Sequence, residues 1–340
     1  MKTNPWKTLS LTALIATAGV AMTANVGAVQ LTGAGATFPA PLYSRWFAEY
    51  NKLNKDVQVN YQALGSGAGV KQFIQGTVDF GASDAAMSED EIKQVKAGAV
   101  LLPMTAGSIV LTYNLPGVST LNLSRAVYTD IFLGKIKNWN DAAIAKANPG
   151  VKFPDLPITV VRRADGSGTT YVFTRHLDSI NPEWHDKVGF DKAVEWPVGI
   201  GAKGNDGVTA AVKGQAGAIG YVEYGYAKEN NLPTALLENK AGKFIAATPE
   251  SGSAALAQAE LPASLIAWVS DPTGDDSYPI VTFTWVLAYK SYPDAAKGKA
   301  LRDILTWSLG DGQKIAPELG YLPLPAPVIE KVKAAIETIK

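Results

Sequence analysis

The chain has 340 residues, with 31 basic and 31 acidic side chains and no cysteine. Balanced charge excludes the broad positive field that a nucleic acid or an acidic membrane partner would require. Without cysteine there is no disulfide framework and no lipid-bearing N-terminal thiol, so an exported fold of this kind must rest on its core.

Lys2 and Lys7 are the only charges before Arg45, the stretch Leu9–Val20 is apolar and small, and Val26-Gly27-Ala28 is a small-x-small exit before Val29. That order predicts a secretory signal peptide over 1–28. The apolar stretch falls short of the roughly 20 residues that span a bilayer. Its removal leaves 340 − 28 = 312 residues carrying 29 basic and 31 acidic groups, a net −2. At about 100–200 residues per domain, this is room for two domains in a soluble chain.

Along the mature chain, short apolar strands alternate with helical patterns, the signature of an α/β fold. Leu42, Tyr43, Trp46, Phe47, Tyr50 and Leu53 have helical spacing after Pro39-Ala40-Pro41. Val57, Val59 and Tyr61 alternate as a strand; Val70, Phe73 and Ile74 return to a helical stripe. Val78–Gly81 reads as a short strand, and Ser88-Glu89-Asp90-Glu91 as a capping box. Val100–Leu102 and Ile109–Tyr113 are strand-like on either side of Pro103. Ser124 is placed to cap a helix carrying Val127, Ile131 and Phe132. Ala218–Val222 and Val281–Ala288 are buried-strand candidates, and Ile329, Val332, Ile336 and Ile339 mark one face of a last helix.

Small-residue corners recur: Gly33–Phe38, Gly65–Gly69, Gly81–Asp84 and Ala164–Thr169. In open α/β sheets ligands collect beyond the carboxyl ends of strands, where helix N-termini offer free N–H groups. The richest corner is Ile158–Thr170, a β-branched strand ending in Arg162-Arg163 and followed by Asp165-Gly166-Ser167-Gly168-Thr169. It gathers N–H groups, hydroxyls and a guanidinium suited to an oxyanion. Successive strand residues face opposite ways, so only one of the two arginines can meet a given ligand. Ser167 and Thr169 also suit helix caps, and the two roles are compatible. Asp84 has an ordinary reading as a turn residue, but facing an anion it would accept a proton that hydrogen phosphate has and sulfate lacks.

Enzyme signatures are thin. Gly199-Ile-Gly201-Ala-Lys-Gly204 matches a dinucleotide fingerprint with Glu223 about 20 residues on. It follows Glu195-Trp196-Pro197-Val198, however, a poor central strand. No P-loop is present, Asp165 stands where a nucleophile elbow requires glycine, and His176 and His185 have no cluster around them. A phosphate-ester hydrolase or a dehydrogenase is the alternative class, and a receptor for another oxyanion or a phosphonate is a third.

Five segments resemble the periplasmic phosphate-binding proteins of the Pst-type ABC transporter: Leu31–Pro41, Val78–Asp84, Ile131–Ile136, Val161–Thr169 and Gly217–Tyr224. The resemblance implies a periplasmic-binding-protein-like (type II) α/β fold. Two lobes, 29–103 with 275–340 and 104–274, would be joined by a two-crossing hinge with the ligand cleft between them. It implies a non-enzymatic, monomeric periplasmic receptor without cofactor or metal, which binds no nucleic acid and delivers phosphate to a membrane permease and ATPase. By the same resemblance the phosphate contacts are Thr37, Phe38 (through its N–H), Ser66, Asp84, Arg163, Ser167, Gly168 and Thr169, with Asp165 pairing Arg163. The sequence departs from the family pattern at Gly67 and Ala68, where a serine and a glycine are expected.

Overall fold

The computed structural model describes Met1 and residues 28–340, so the expected signal peptide lies almost wholly outside the described residues. β1 (Val29–Gly35) leads through Pro39 into α1 (Ala40–Leu53), and β2 (Val57–Ala63) follows. The stripe Leu42, Tyr43, Trp46 and Tyr50 is buried, as its spacing predicts, while Leu53 at the helix end is exposed. α2 (Ser66–Gln75) buries Val70 and Phe73. β3 (Phe80–Ser83) begins later than the apolar run suggests, because Asp79 is engaged by the Thr32 N–H and by Lys297 Nζ. α3 (Glu89–Lys93) carries the expected capping box between Ser88 and Glu91.

β4 (Ala99–Tyr113) is one buried 15-residue strand, where two were expected around Pro103. Its register against a later strand, Val281–Tyr289, shifts between Thr284 and Trp285, opposite Thr105 and Pro103. The missing proline N–H therefore falls at an irregularity in the ladder, where a strand tolerates it.

β5 (Asn122–Leu123) precedes α4 (Arg125–Phe132), which Ser124 caps as predicted. Then come α5 (Ala142–Lys146), β6 (Thr159–Arg163), α6 (Gly168–Ile180) and α7 (Pro182–Lys187). β7 (Ile200–Ala202), α8 (Gly204–Gly214), β8 (Ala218–Glu223) and α9 (Tyr224–Glu229) follow. A small sheet is completed by β9 (Leu236–Glu238) and β10 (Phe244–Ile245), ahead of α10 (Pro249–Leu256). The chain ends through β11 (Val281–Tyr289), α11 (Ala295–Leu309), α12 (Asp311–Ile315) and α13 (Ala326–Glu337). On α13 the buried stripe is Val328, Val332 and Ile336, with Ile339 buried just beyond the helix; Ile329 lies at the edge of that face.

The main sheet has eight strands in the order β2-β1-β3-β11-β4-β8-β6-β7. β4 joins its two halves: Ala99–Ser108 pairs antiparallel with β11, and Ile109–Tyr113 pairs antiparallel with β8. In the first half β2, β1 and β3 are parallel; in the second, β8, β6 and β7 are parallel. Each half has its own aromatic packing. Tyr43, Phe47, Tyr61 and Phe80 bring α1 onto the first half, and Phe132, Phe173, Trp196 and Tyr221 bind helices to the second. Such aromatic contacts add about 0.5–1.5 kcal/mol per pair beyond the buried area.

Candidate functional site

The carboxyl ends of the parallel strands deliver the predicted corners to one place between the halves. Gly35 ends β1 at φ +147°, and a side chain there would collide with the Ala82 backbone of β3. Glycine thus lets β1 run close to β3 and turn into Thr37 and Phe38. Thr37 is buried, and its carbonyl accepts from Tyr226 Oη at 2.5 Å. The Phe38 carbonyl accepts from Tyr321 Oη at 2.6 Å. Helix α1 has no side-chain cap, but the Ala40 N–H donates to the Thr37 carbonyl at 3.2 Å and Pro39 and Pro41 carry no N–H, so this helix start offers few free donors.

Gly65, at φ +100°, opens α2, and a Cβ there would strike the Asp165 carboxylate of the opposite half. Ser66 Oγ accepts from the Asp84 N–H at 3.2 Å and lies 3.5 Å from Asp84 Oδ2 as donor. The Gly67 N–H donates to the Gly166 carbonyl at 2.9 Å across the cleft. A Cβ at Gly67 would sit 3.3 Å from the Gly166 backbone, so glycine suits this close approach. Gly81–Asp84 is not a separate loop: Gly81–Ser83 form the end of β3, and Asp84 emerges directly from it.

Arg163 ends β6 and is buried, while Arg162 faces away and directs Nη1 to the Arg163 carbonyl at 3.4 Å. The strand parity argued from sequence is thereby realised. Arg163 grips Asp165 through Nε at 2.8 Å and Nη2 at 2.5 Å, and its Nη1 reaches Thr169 Oγ1 at 3.3 Å. Ser167 Oγ caps α6 by accepting from the Thr170 N–H at 3.0 Å. The N–H groups of Gly168 and Thr169 lie in the first turn, where no intrahelical acceptor exists. Gly168 is packed so tightly against Ser66 and Asp84 that a Cβ would overlap both.

Two carboxylates with opposite electrostatics meet here. Burial pushes Asp84 up to about 7, only partly offset by the Thr284 hydroxyl, the Arg163 charge and Ser66. For Asp165 burial acts in the same sense, but its bonds to Arg163 and the Gly204 N–H outweigh it and hold the group below the ordinary range. Asp165 therefore stays ionised and neutralises Arg163, leaving Asp84 as a second, less committed acceptor.

Sequence reasoning missed four contributors. Thr284 Oγ1 on β11 donates to Asp84 Oδ1 at 2.7 Å. Tyr221 Oη accepts from the Arg163 N–H at 3.0 Å and pairs with Thr170 Oγ1 at 2.6 Å. The Gly204 N–H donates to Asp165 Oδ1 at 3.0 Å, and Asn205 bonds both Thr37 and Thr169. Gly204 ends, and Asn205 directly follows, the Gly199–Gly204 segment. It forms edge strand β7 and the start of α8, aimed at the cluster, and is not a dinucleotide loop. Glu223 lies buried as the N-cap of α9, with Oε2 accepting from the Gly225 N–H. The shared small-and-polar character of Gly204-Asn205-Asp206-Gly207 and the other corners was the available signal.

His176 is not near Ser167 chemistry: its Nε2 pairs with Tyr128 Oη at 2.8 Å, and burial pushes its pKa down to about 4. Among the described residues no His, Cys, Asp and Glu group is arranged to hold a metal, and no helix is long and apolar enough to cross a membrane.

A model described as a PBP superfamily domain matches residues 22–311. The chain is 44% identical over 312 residues to a protein of Pasteurella multocida named Phosphate-binding protein PstS, covering 91% of this chain and 90% of that one. It is 40% identical to a protein of the same name from Haemophilus influenzae, covering 91% and 92%. Among solved structures, a high-affinity periplasmic phosphate-binding protein bound with phosphate shares the fold at a TM-score of 0.75 and 22% identity, covering 90% of this chain and 93% of that one. With a two-half α/β frame, strand ends meeting in one donor-rich cluster and identity along nearly its full length, this chain belongs to the PBP superfamily and, within it, to the PstS family of phosphate-binding proteins.

Proposed function

We propose that this protein is an exported, non-enzymatic receptor that binds inorganic phosphate between its two halves and passes it to a membrane permease and ATPase for import. The relatives named for phosphate binding support the ligand class. The observation that carries the reading is Asp84, a carboxylate 1% exposed among hydroxyls, helix-start N–H groups and a buried arginine. Above about pH 7 Asp84 is ionised and can only accept, so there it rewards an anion that brings a proton and opposes one that does not. That is the basis for preferring phosphate to sulfate.

In this reading the contacts are Thr37, Phe38, Ser66, Asp84, Arg163, Ser167, Gly168 and Thr169, with Asp165 tempering Arg163. The lobes are 29–103 with 275–340 and 104–274, and they close on the ligand as a hinge. The signal peptide over 1–28 directs the mature chain to the periplasm.

Calorimetric titration of the mature protein with phosphate and with sulfate tests the proposal. Phosphate is expected to bind far more tightly, and equal affinities or no phosphate binding would sink the reading. Asp84→Asn is expected to weaken phosphate binding by about ten- to a hundredfold, the scale of a lost hydrogen bond to a charged group. It should also narrow the gap to sulfate; an unchanged ratio would remove Asp84 from the selecting role.

A further inference from the structure

We propose that Asn205 is the positioning residue that sets the polarity of the cleft, holding the hydroxyls of Thr37 and Thr169 as donors toward the bound anion. The inference rests on the reading of the cleft as a phosphate site and adds to it a specificity residue outside the predicted contact set.

Asn205 is fully buried at the second position of α8. Its Oδ1 accepts from the Glu223 N–H at 3.0 Å. A backbone N–H can only donate, so this bond fixes which way the carboxamide faces and turns Nδ2 toward the cleft. The two Nδ2 protons then reach Thr37 Oγ1 at 2.8 Å and Thr169 Oγ1 at 3.2 Å, one threonine from each half.

A hydroxyl has one proton and two acceptor lone pairs. Thr37 Oγ1 also accepts from the Asn205 N–H at 3.2 Å, and Thr169 Oγ1 also accepts from Arg163 Nη1 at 3.3 Å. Both lone pairs on both oxygens are therefore occupied by groups that cannot do anything but donate. What remains on each threonine is its proton. An unrestrained hydroxyl could rotate to accept a proton from a ligand; these two cannot without breaking a buried bond. Asn205 thereby denies the ligand extra acceptors and leaves that role to Asp84. The chain of orientation runs from the β8 backbone through one carboxamide to donors on both halves.

The test is a set of phosphate titrations by calorimetry, with unfolding of the unliganded proteins followed by circular dichroism. Asn205→Asp keeps the size and the acceptor for the Glu223 N–H. Its other oxygen, however, accepts from the threonines and draws their protons from the ligand. Phosphate affinity is expected to fall about ten- to a hundredfold. The new charge also repels an anion, so the same substitution is made in Thr37→Val and Thr169→Val backgrounds, where the charge remains and one hydroxyl is gone. Action through the hydroxyls makes the loss smaller in each valine background by about threefold or more. An equal loss in all backgrounds means charge or fold alone and overturns the inference. Asn205→Ala, without new charge, serves if the Asp variant does not fold, and its loss should shrink in the same backgrounds. Wild-type protein that fails to bind phosphate overturns the functional reading and this inference together; wild-type binding with undiminished affinity in both Asn205 variants overturns the inference alone.

Discussion

Gly168→Ala is expected to weaken phosphate binding by about a hundredfold while leaving the unliganded fold as stable as before. Gly168 opens α6 with helical backbone, so alanine suits it locally and gains a little helix propensity. The obstacle is across the cleft. A Cβ at this position overlaps Ser66 Oγ and the Asp84 side chain, which come from the other half of the molecule. Overpacking at a close-fitted contact costs about 1–3 kcal/mol, and the upper end of that range corresponds to the hundredfold loss. On the proposed hinge the collision exists only when the halves meet, so the cost falls on closure and not on folding. Titration calorimetry, thermal unfolding and small-angle scattering separate the two. The variant should keep its melting temperature, bind weakly and scatter as a more open particle. Wild-type affinity in Gly168→Ala would show that the halves do not close on the ligand in this arrangement.

The second large effect is on stability as a function of pH. Asp84 is pushed up to about 7 in the folded protein from an ordinary value of 3.8. A carboxyl with a raised folded pKa contributes fully below its unfolded pKa, and the contribution is lost as pH climbs to the folded value. In the closed arrangement described here, where Gly168 of the other half covers Asp84, the unliganded protein should therefore lose stability between about pH 4 and pH 7 through this group, and a shift of about three units corresponds to about 4 kcal/mol. Asp84→Asn cannot ionise and still offers an oxygen to Thr284. At pH 8 it is expected to be more stable than the parent without ligand by up to that amount, with the difference vanishing near pH 4. Glu223, raised by burial, acts in the same sense, while the depressed His176 acts at the acid end. Subtracting the Asp84→Asn curve from the parent curve cancels both. Denaturant unfolding at a series of pH values is the measurement, and parallel curves would mean that Asp84 is not held protonated by burial. The same carboxylate that costs stability in the empty cleft is the one assigned to phosphate recognition, a trade often found where a site is built from buried charge.

What the sequence determined by itself was local. Ser88 and Glu91 cap α3, Ser124 caps α4, and Ser167 meets the Thr170 N–H, because each of these bonds closes within three residues. Arg163 and Asp165 pair two residues apart, and strand parity separates Arg163 from Arg162 without reference to any other part of the chain. Residue chemistry and period are enough for such contacts. The α/β character followed from alternating periods in the same way. Tertiary structure alone decided the rest. Thr284 reaches Asp84 over 200 residues, Tyr226 reaches Thr37 over 189, and Asn205 reaches Thr37 over 168. Those distances are bridged only because the strand order places β11 beside β3 and the carboxyl ends of the two parallel sets against each other. β4 likewise continues through Pro103 only because its neighbour shifts register there. Period and propensity describe a residue and its near neighbours; pairing order, burial and the resulting pKa belong to the assembled sheet. The sequence could therefore suggest donors for this cleft, but not the side chain proposed to orient them.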